Sequence, residues 1–227
     1  MSMQLLRGLY VAIALLVISG CAGSQSSAPA VTSDGLQLVP DTKFGEVYQR
    51  PGVDLGGFTE FGVEDCRVSF KKNWLRDQND NRLDLSNRVT QRDVDRIKDN
   101  LGALCTEKFT AALLADPAYN LVDSFDDGEQ VLVLSPSIIN LDINAPDTMS
   151  AGRSRSYTTS AGEMTLSLEL SDATTGEVLY RIVDRKRSRD TGRMEWTTSV
   201  SNKAEAERIL RRWADLLRQG LDTVRAL

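Results

Sequence analysis

Two periodicities organise the apolar residues of this chain. Met164, Leu166, Leu168 and Leu170 alternate with Thr165, Ser167 and Glu169, the two-residue period of a strand with one buried face. Asp172-Ala173-Thr174-Thr175-Gly176 reads as a hairpin connection, and residues 177–186 as the returning strand. Cys66, Val68 and Phe70 alternate in the same way, while Phe61 and Val63 hold the opposite parity, which predicts a bulge near Glu64-Asp65. Residues 130–143 are mostly β-branched and aliphatic; Pro136 within them predicts an edge strand or a bulge. Residues 119–122 make a further short strand. Lys71 to Asn87 reads as polar loop.

The other period is helical. Val94, Ile97, Leu101, Leu104, Cys105, Phe109 and Ala112 follow Thr90-Gln91-Arg92-Asp93, which has the form of a capping box, and Asp116-Pro117 stops the segment. Ala206, Ile209, Leu210, Trp213, Leu216, Leu217 and Val224 mark a last helix, with a cap expected at Asn202–Glu205. The predicted order is β-α-β-β-β-β-α. Two long helices with one apolar stripe each need an apolar sheet face to cover. The expected fold is therefore α+β: a two-layer sandwich whose mostly antiparallel sheet is covered on one face and solvated on the other.

The N-terminus carries a different signal. Arg7 is the only charge before Asp34, and Gly8 to Ile18 is a run of 11 mostly apolar residues, short of the ~20 needed to span a bilayer core. It reads as the core of a signal peptide. The following Ile18-Ser19-Gly20-Cys21 resembles a bacterial lipoprotein signal. The resemblance implies cleavage after Gly20, lipid on the Cys21 thiol and acylation of the new amine, and Ala22 favours the outer membrane over the inner. Residues 1–20 are thus expected to be a signal peptide, 21–41 a lipidated, flexible tether of Ala, Gly, Ser and Gln, and 42–227 one periplasmic domain.

Composition narrows the chemistry. Across 227 residues, 41% apolar and 26% charged, the net charge is −5, which argues against nucleic-acid binding. The absence of histidine excludes imidazole triads and His-ligated zinc sites. No nucleophile elbow or glycine-rich phosphate loop is present, so neither an enzyme nor a cofactor is expected. Asp77 to Asp84 begins like a calcium loop but places Arg82 and Arg88 where Gly and Glu belong, so a solvated loop is expected and no metal.

Cys66 and Cys105 are the only other cysteines, in a compartment that oxidises thiols. Both fall on the inward parity of their elements, so a disulfide is expected, with two buried free thiols as the alternative. Residues 150–227 carry a net charge of +3 and 21–149 one of −9. Much of this excess is a strip, Arg181, Arg185, Lys186, Arg187, Arg189 and Arg193, interrupted by Asp184 and Asp190. Such a strip can orient the domain at an anionic surface or steer an acidic partner; the plainer reading is a solvated strand end and turn. Trp74 and Trp196 sit in polar stretches, as partner anchors or as cover over a sheet edge.

The lipobox, the Pro51-Gly52-Val53-Asp54-Leu55-Gly56-Gly57-Phe58 opening, the Asp172–Leu179 hairpin and the closing Trp213 helix occur in one order. Together, over about residues 45–224, they resemble a proteobacterial lipoprotein family known as domain-of-unknown-function family 3313. The resemblance implies an outer-membrane lipoprotein with no established activity. The expected role is a non-enzymatic interaction or assembly module, membrane-bound through its anchor, with an envelope protein as partner. A carrier or sensor of an amphiphile is the alternative, and a hydrolase the third.

Overall fold

The strand predicted from Met164 to Leu170 lies at the centre of an eight-stranded sheet in a computed structural model. The structure describes residues 28–80, 88–125, 130–143, 157–158, 162–187, 195–196 and 199–225. Cys21 and the signal segment lie outside them. Among the described residues the chain is mixed α/β, with three α-helices and a largely antiparallel sheet. The strands are β1 (Gln37–Leu38), β2 (Glu46–Gln49), β3 (Glu60–Val63), β4 (Arg67–Phe70), β5 (Asn120–Leu121), β6 (Val131–Ile143), β7 (Tyr157–Thr158), β8 (Gly162–Asp172), β9 (Val178–Arg187) and β10 (Glu195–Trp196). β7 and β10 pair with each other, apart from the main sheet. The helices are α1 (Trp74–Asn79), α2 (Gln91–Leu113) and α3 (Ser199–Arg225).

The sheet runs β1-β2-β9-β8-β6-β3-β5, with β4 also beside β6. β6 pairs antiparallel with β8 but parallel with β3 and β4, because α2 carries the chain across between them. β3 and β4 are two halves of one interrupted line along β6, broken at the predicted irregularity near Glu64-Asp65. This break explains Pro136. β6 is an internal strand, and Pro136 sits opposite Leu168 of β8, between the stretches registered with β3 and β4. The missing N–H thus falls where neither β3 nor β4 is registered against it.

Leu132, Leu134, Ile138, Leu141, Leu166, Leu168, Leu170 and Ile182 form one core with Leu101, Cys105 and Phe109 of α2 and Leu210, Trp213 and Leu217 of α3. α2 begins at Thr90 with both halves of the capping box present. It approaches the β3–β4 break closely: a Cβ on Gly102 would stand 2.7 Å from the Cys66 carbonyl oxygen. The Cys66 N–H, at this break in the sheet, donates to Thr106 Oγ1 at 3.0 Å. Cys66 and Cys105 are disulfide-bonded, with Cα atoms 5.9 Å apart.

Two expectations change. Residues 28–41 are not all tether. Val31 bridges Gln37, β1 pairs with β2, and Leu36 is completely buried. The low-complexity composition conceals a Thr32–Leu36 turn, closed by the Leu36 N–H donating to Thr32 Oγ1 at 2.9 Å, with Gly35 at φ +86°. Lys71 to Asn87 is not all loop, since α1 forms within it. Of the two readings of Trp74, the structure shows the packed one: the side chain is buried, its ring stacks on Phe70 at 4.1 Å and its Nε1–H donates to the Ile143 carbonyl at 2.8 Å.

Candidate interaction surface on the sheet

The parity of β9 sorts the basic strip. Arg181, Arg185 and Arg187 alternate onto the sheet face turned away from the hydrophobic core, whereas Lys186 shares the parity of Tyr180, Ile182 and Asp184. Arg189 and Arg193 lie outside the described residues. The six residues therefore do not form one patch; the structure brings together three arginines.

Each of the three meets a carboxylate. Arg181 stands across from Glu169 on β8, and its Nε–H donates to Glu169 Oε1 at 2.7 Å. Its two terminal nitrogens clasp both oxygens of Asp34, at 3.1 and 2.9 Å. Glu163 stands across from Arg187 and accepts from it at 3.0 and 3.2 Å. The same carboxylate accepts from Arg185 at 2.7 and 2.6 Å. Three cations and three carboxylates make this ladder neutral as a set. The arginine bonds have electrostatic consequences. Asp34 is held far below the ordinary carboxylate range, chiefly by its hydrogen bond from Arg181. Glu163 is lowered, chiefly by Arg185 and further by Arg187, against the opposing effect of burial.

Lys186 belongs to another centre. Asp184 is 3% exposed, inside the core. It accepts from the Gly45 N–H at 3.1 Å, from Trp213 Nε1 at 2.7 Å and from Lys186 Nζ at 3.1 Å, with Lys186 Nζ also 2.8 Å from its second oxygen. This is the satisfied form of a buried carboxylate, tying β9, the entry to β2 and the middle of α3 together.

No catalytic constellation accompanies these groups among the described residues. A shallow hollow of about 200 Å³ lies between Phe70, Trp74, Arg76, Gln91 and Val94, smaller than the ~300–1,000 Å³ of typical ligand sites. Among the described residues no group of three His, Cys, Asp or Glu is placed to hold a metal, and no helix is long and apolar enough to cross a membrane. The Trp196 side chain and much of the Asp77–Asp84 loop lie outside the described residues.

Sequence reasoning misses Glu163, Glu169 and Asp34. The hairpin carries the signal for two of them: a turn at 172–176 sets Glu169 opposite Arg181 and Glu163 opposite Arg187. Asp34, 147 positions from Arg181, has none.

No protein-family model matches the chain, and no curated protein matches it. Among solved structures it is similar to the PelC dodecamer from Paraburkholderia phytofirmans, at 13% identity over 76% of this chain and 96% of that one, TM-score 0.37. It is similar to a neuraminyllactose-binding hemagglutinin homologue from Helicobacter pylori, at 7% identity over 74% and 90%, TM-score 0.32. It is also similar to XCC0632 from Xanthomonas campestris, of domain-of-unknown-function family 330, at 13% identity over 77% and 93%, TM-score 0.33. At these scores the likeness assigns neither a site nor an activity.

Proposed function

We propose that the protein is an envelope lipoprotein of the domain-of-unknown-function 3313 type, anchored in the outer membrane through acylated Cys21. Its domain faces the periplasm and is a non-enzymatic interaction module. The finer architecture belongs to this reading: a two-layer sandwich, with α2 and α3 on one sheet face and the other presented to a protein partner. The observation that carries it is the Asp34, Glu163 and Glu169 ladder with Arg181, Arg185 and Arg187 on that second face. A self-neutralised ladder gives weak attraction to a uniformly anionic surface. It offers a partner alternating donors and acceptors that can be matched in register. The Arg185 and Arg187 side chains, 61% and 69% exposed, are the accessible members.

A photo-crosslinking residue in place of Arg187, in the lipidated protein in living cells, tests this. Exposed Asp99 on α2 serves as the control position. A discrete protein adduct from position 187 and none from 99 is expected. Lipid adducts alone, or the same adducts from both positions, would overturn the docking reading.

A further inference from the structure

The segment joining the acylated cysteine to the domain is far shorter than its composition suggests. The described residues begin at Ala28, and six residues lie between it and Cys21; the seven Cα-to-Cα steps from Cys21 to Ala28 reach at most about 24 Å fully extended. The chain then enters the sheet at one edge and is pinned there. Leu36 is buried, the Leu38 N–H donates to the Ala30 carbonyl at 2.9 Å, and Arg181 clasps Asp34. Arg50 adds a bond from Nη1 to the Asp34 carbonyl at 3.3 Å while its Nε–H holds the Val178 carbonyl at 2.8 Å. β1 is one end of the sheet and β5 the other. Six inter-strand spacings separate them, about 29 Å.

We infer that the β1–β2 edge, with Val31 at its rim, is the surface held against the lipid bilayer, and that the β5 edge is turned away from it. The inference rests on acylation at Cys21. The attachment point cannot rise more than the tether length above the headgroups, whereas the β5 edge has no such limit, and exclusion of the domain from the bilayer favours the attached end lying lowest. Charge at this edge is compatible with anionic headgroups, because Asp34 is paired with Arg181 and Glu177 with Arg50. Among the described residues the two most exposed large apolar side chains lie toward opposite ends: Val31, 54% exposed, at the entry, and Leu114, 53% exposed, at the end of α2 leading to β5.

These two positions supply the test. Val31→Cys and Leu114→Cys are made in the full, lipidated chain, labelled with a fluorophore and reconstituted into phosphatidylethanolamine–phosphatidylglycerol vesicles containing a headgroup-linked quencher. At least about twofold stronger quenching at position 31 is expected. Equal quenching, or stronger quenching at 114, overturns the orientation. The intact mass of the extracted chain separates the two levels of the argument. A chain without acyl groups at Cys21 overturns both the anchor and the orientation; an acylated chain with equal quenching overturns the orientation alone. An insertion of about ten Gly and Ser residues between Ala22 and Gly23 is expected to bring the two signals together. Persistence of the difference would show that something other than tether length sets it.

Discussion

The indole Nε1–H of Trp213 donates to Oδ2 of Asp184 at 2.7 Å, joining the middle of α3 to β9 inside the core. Trp213 is completely buried, so its N–H has no water to turn to when Asp184 is removed. Asp184→Ala strands that donor and the Gly45 N–H together. A loss of about 2–4 kcal/mol is expected, read as a lower urea midpoint. Asp184→Asn keeps an acceptor oxygen for the indole and is expected to cost less. Equal effects of the two variants would remove the indole bond from the account.

The disulfide predicts a redox-dependent stability. It closes the segment from the β3–β4 break to α2, a sequence separation of 39. In the chain-entropy picture such a link contributes about 4 kcal/mol. Cys66→Ala with Cys105→Ala is expected to lower the melting temperature markedly, and a reductant to have the same effect on the native chain but none on the double variant. Thiol titration of the unfolded native chain, before and after reduction, checks the bond directly.

Gly102 tests the close approach that allows this bond. Its absent side chain leaves room for the Cys66 carbonyl, 2.7 Å from where a Cβ would stand. Gly102→Ala raises helix propensity by about 1 kcal/mol, yet net destabilisation is expected, because the atom in the way is backbone. A higher denaturation midpoint for this variant would show that α2 can move off the strand at little cost.

These two regions mark what a sequence can disclose. The parity of Cys66 and the helical position of Cys105 are local facts, so their shared interface is legible in the order of residues alone. So are the capping box at Thr90 and the alternation of β8. β1 and β2 are not legible in this way: each is short, and each is a strand because of what lies beside it, β2 against β9 and β1 against β2. Adjacency in the chain groups Lys186 with three arginines; strand alternation sends it to the other side. Pairing of Arg181 with Asp34 arises only when the N-terminal turn folds onto the sheet.

The ladder predicts a sign for the pH dependence. Glu163 titrates lower in the folded chain than in the unfolded one, chiefly because Arg185 stabilises its charged form. Its stabilising contribution is therefore fully present above the unfolded value of about 4.3 and is lost as pH falls through the folded value. Glu163→Gln is expected to be less stable than the native chain at pH 7, the difference shrinking on acidification below about pH 4. Urea titrations of both proteins from neutral to acid pH check this; a difference that is constant with pH would place the effect in packing instead of charge.

Arg218 makes the sharpest separation between charge and shape. Its Nη1 donates to the carbonyls of Ala112 and Ala115, both at 3.1 Å, and Leu113 at 3.3 Å, receiving the unpaired end of α2. Its Nε–H donates to Asp222 at 2.9 Å and its guanidinium lies 4.4 Å from the centre of the Tyr119 ring. The side chain is only 11% exposed. A lysine supplies the charge but cannot fork to these carbonyls while facing the ring and Asp222. Arg218→Lys is therefore expected to lose most of what Arg218→Ala loses, about 2 kcal/mol or more, with faster amide exchange in the last turn of α2 in both. A lysine variant as stable as the native chain would reduce the role of Arg218 to its charge and leave the helix end to be satisfied by water.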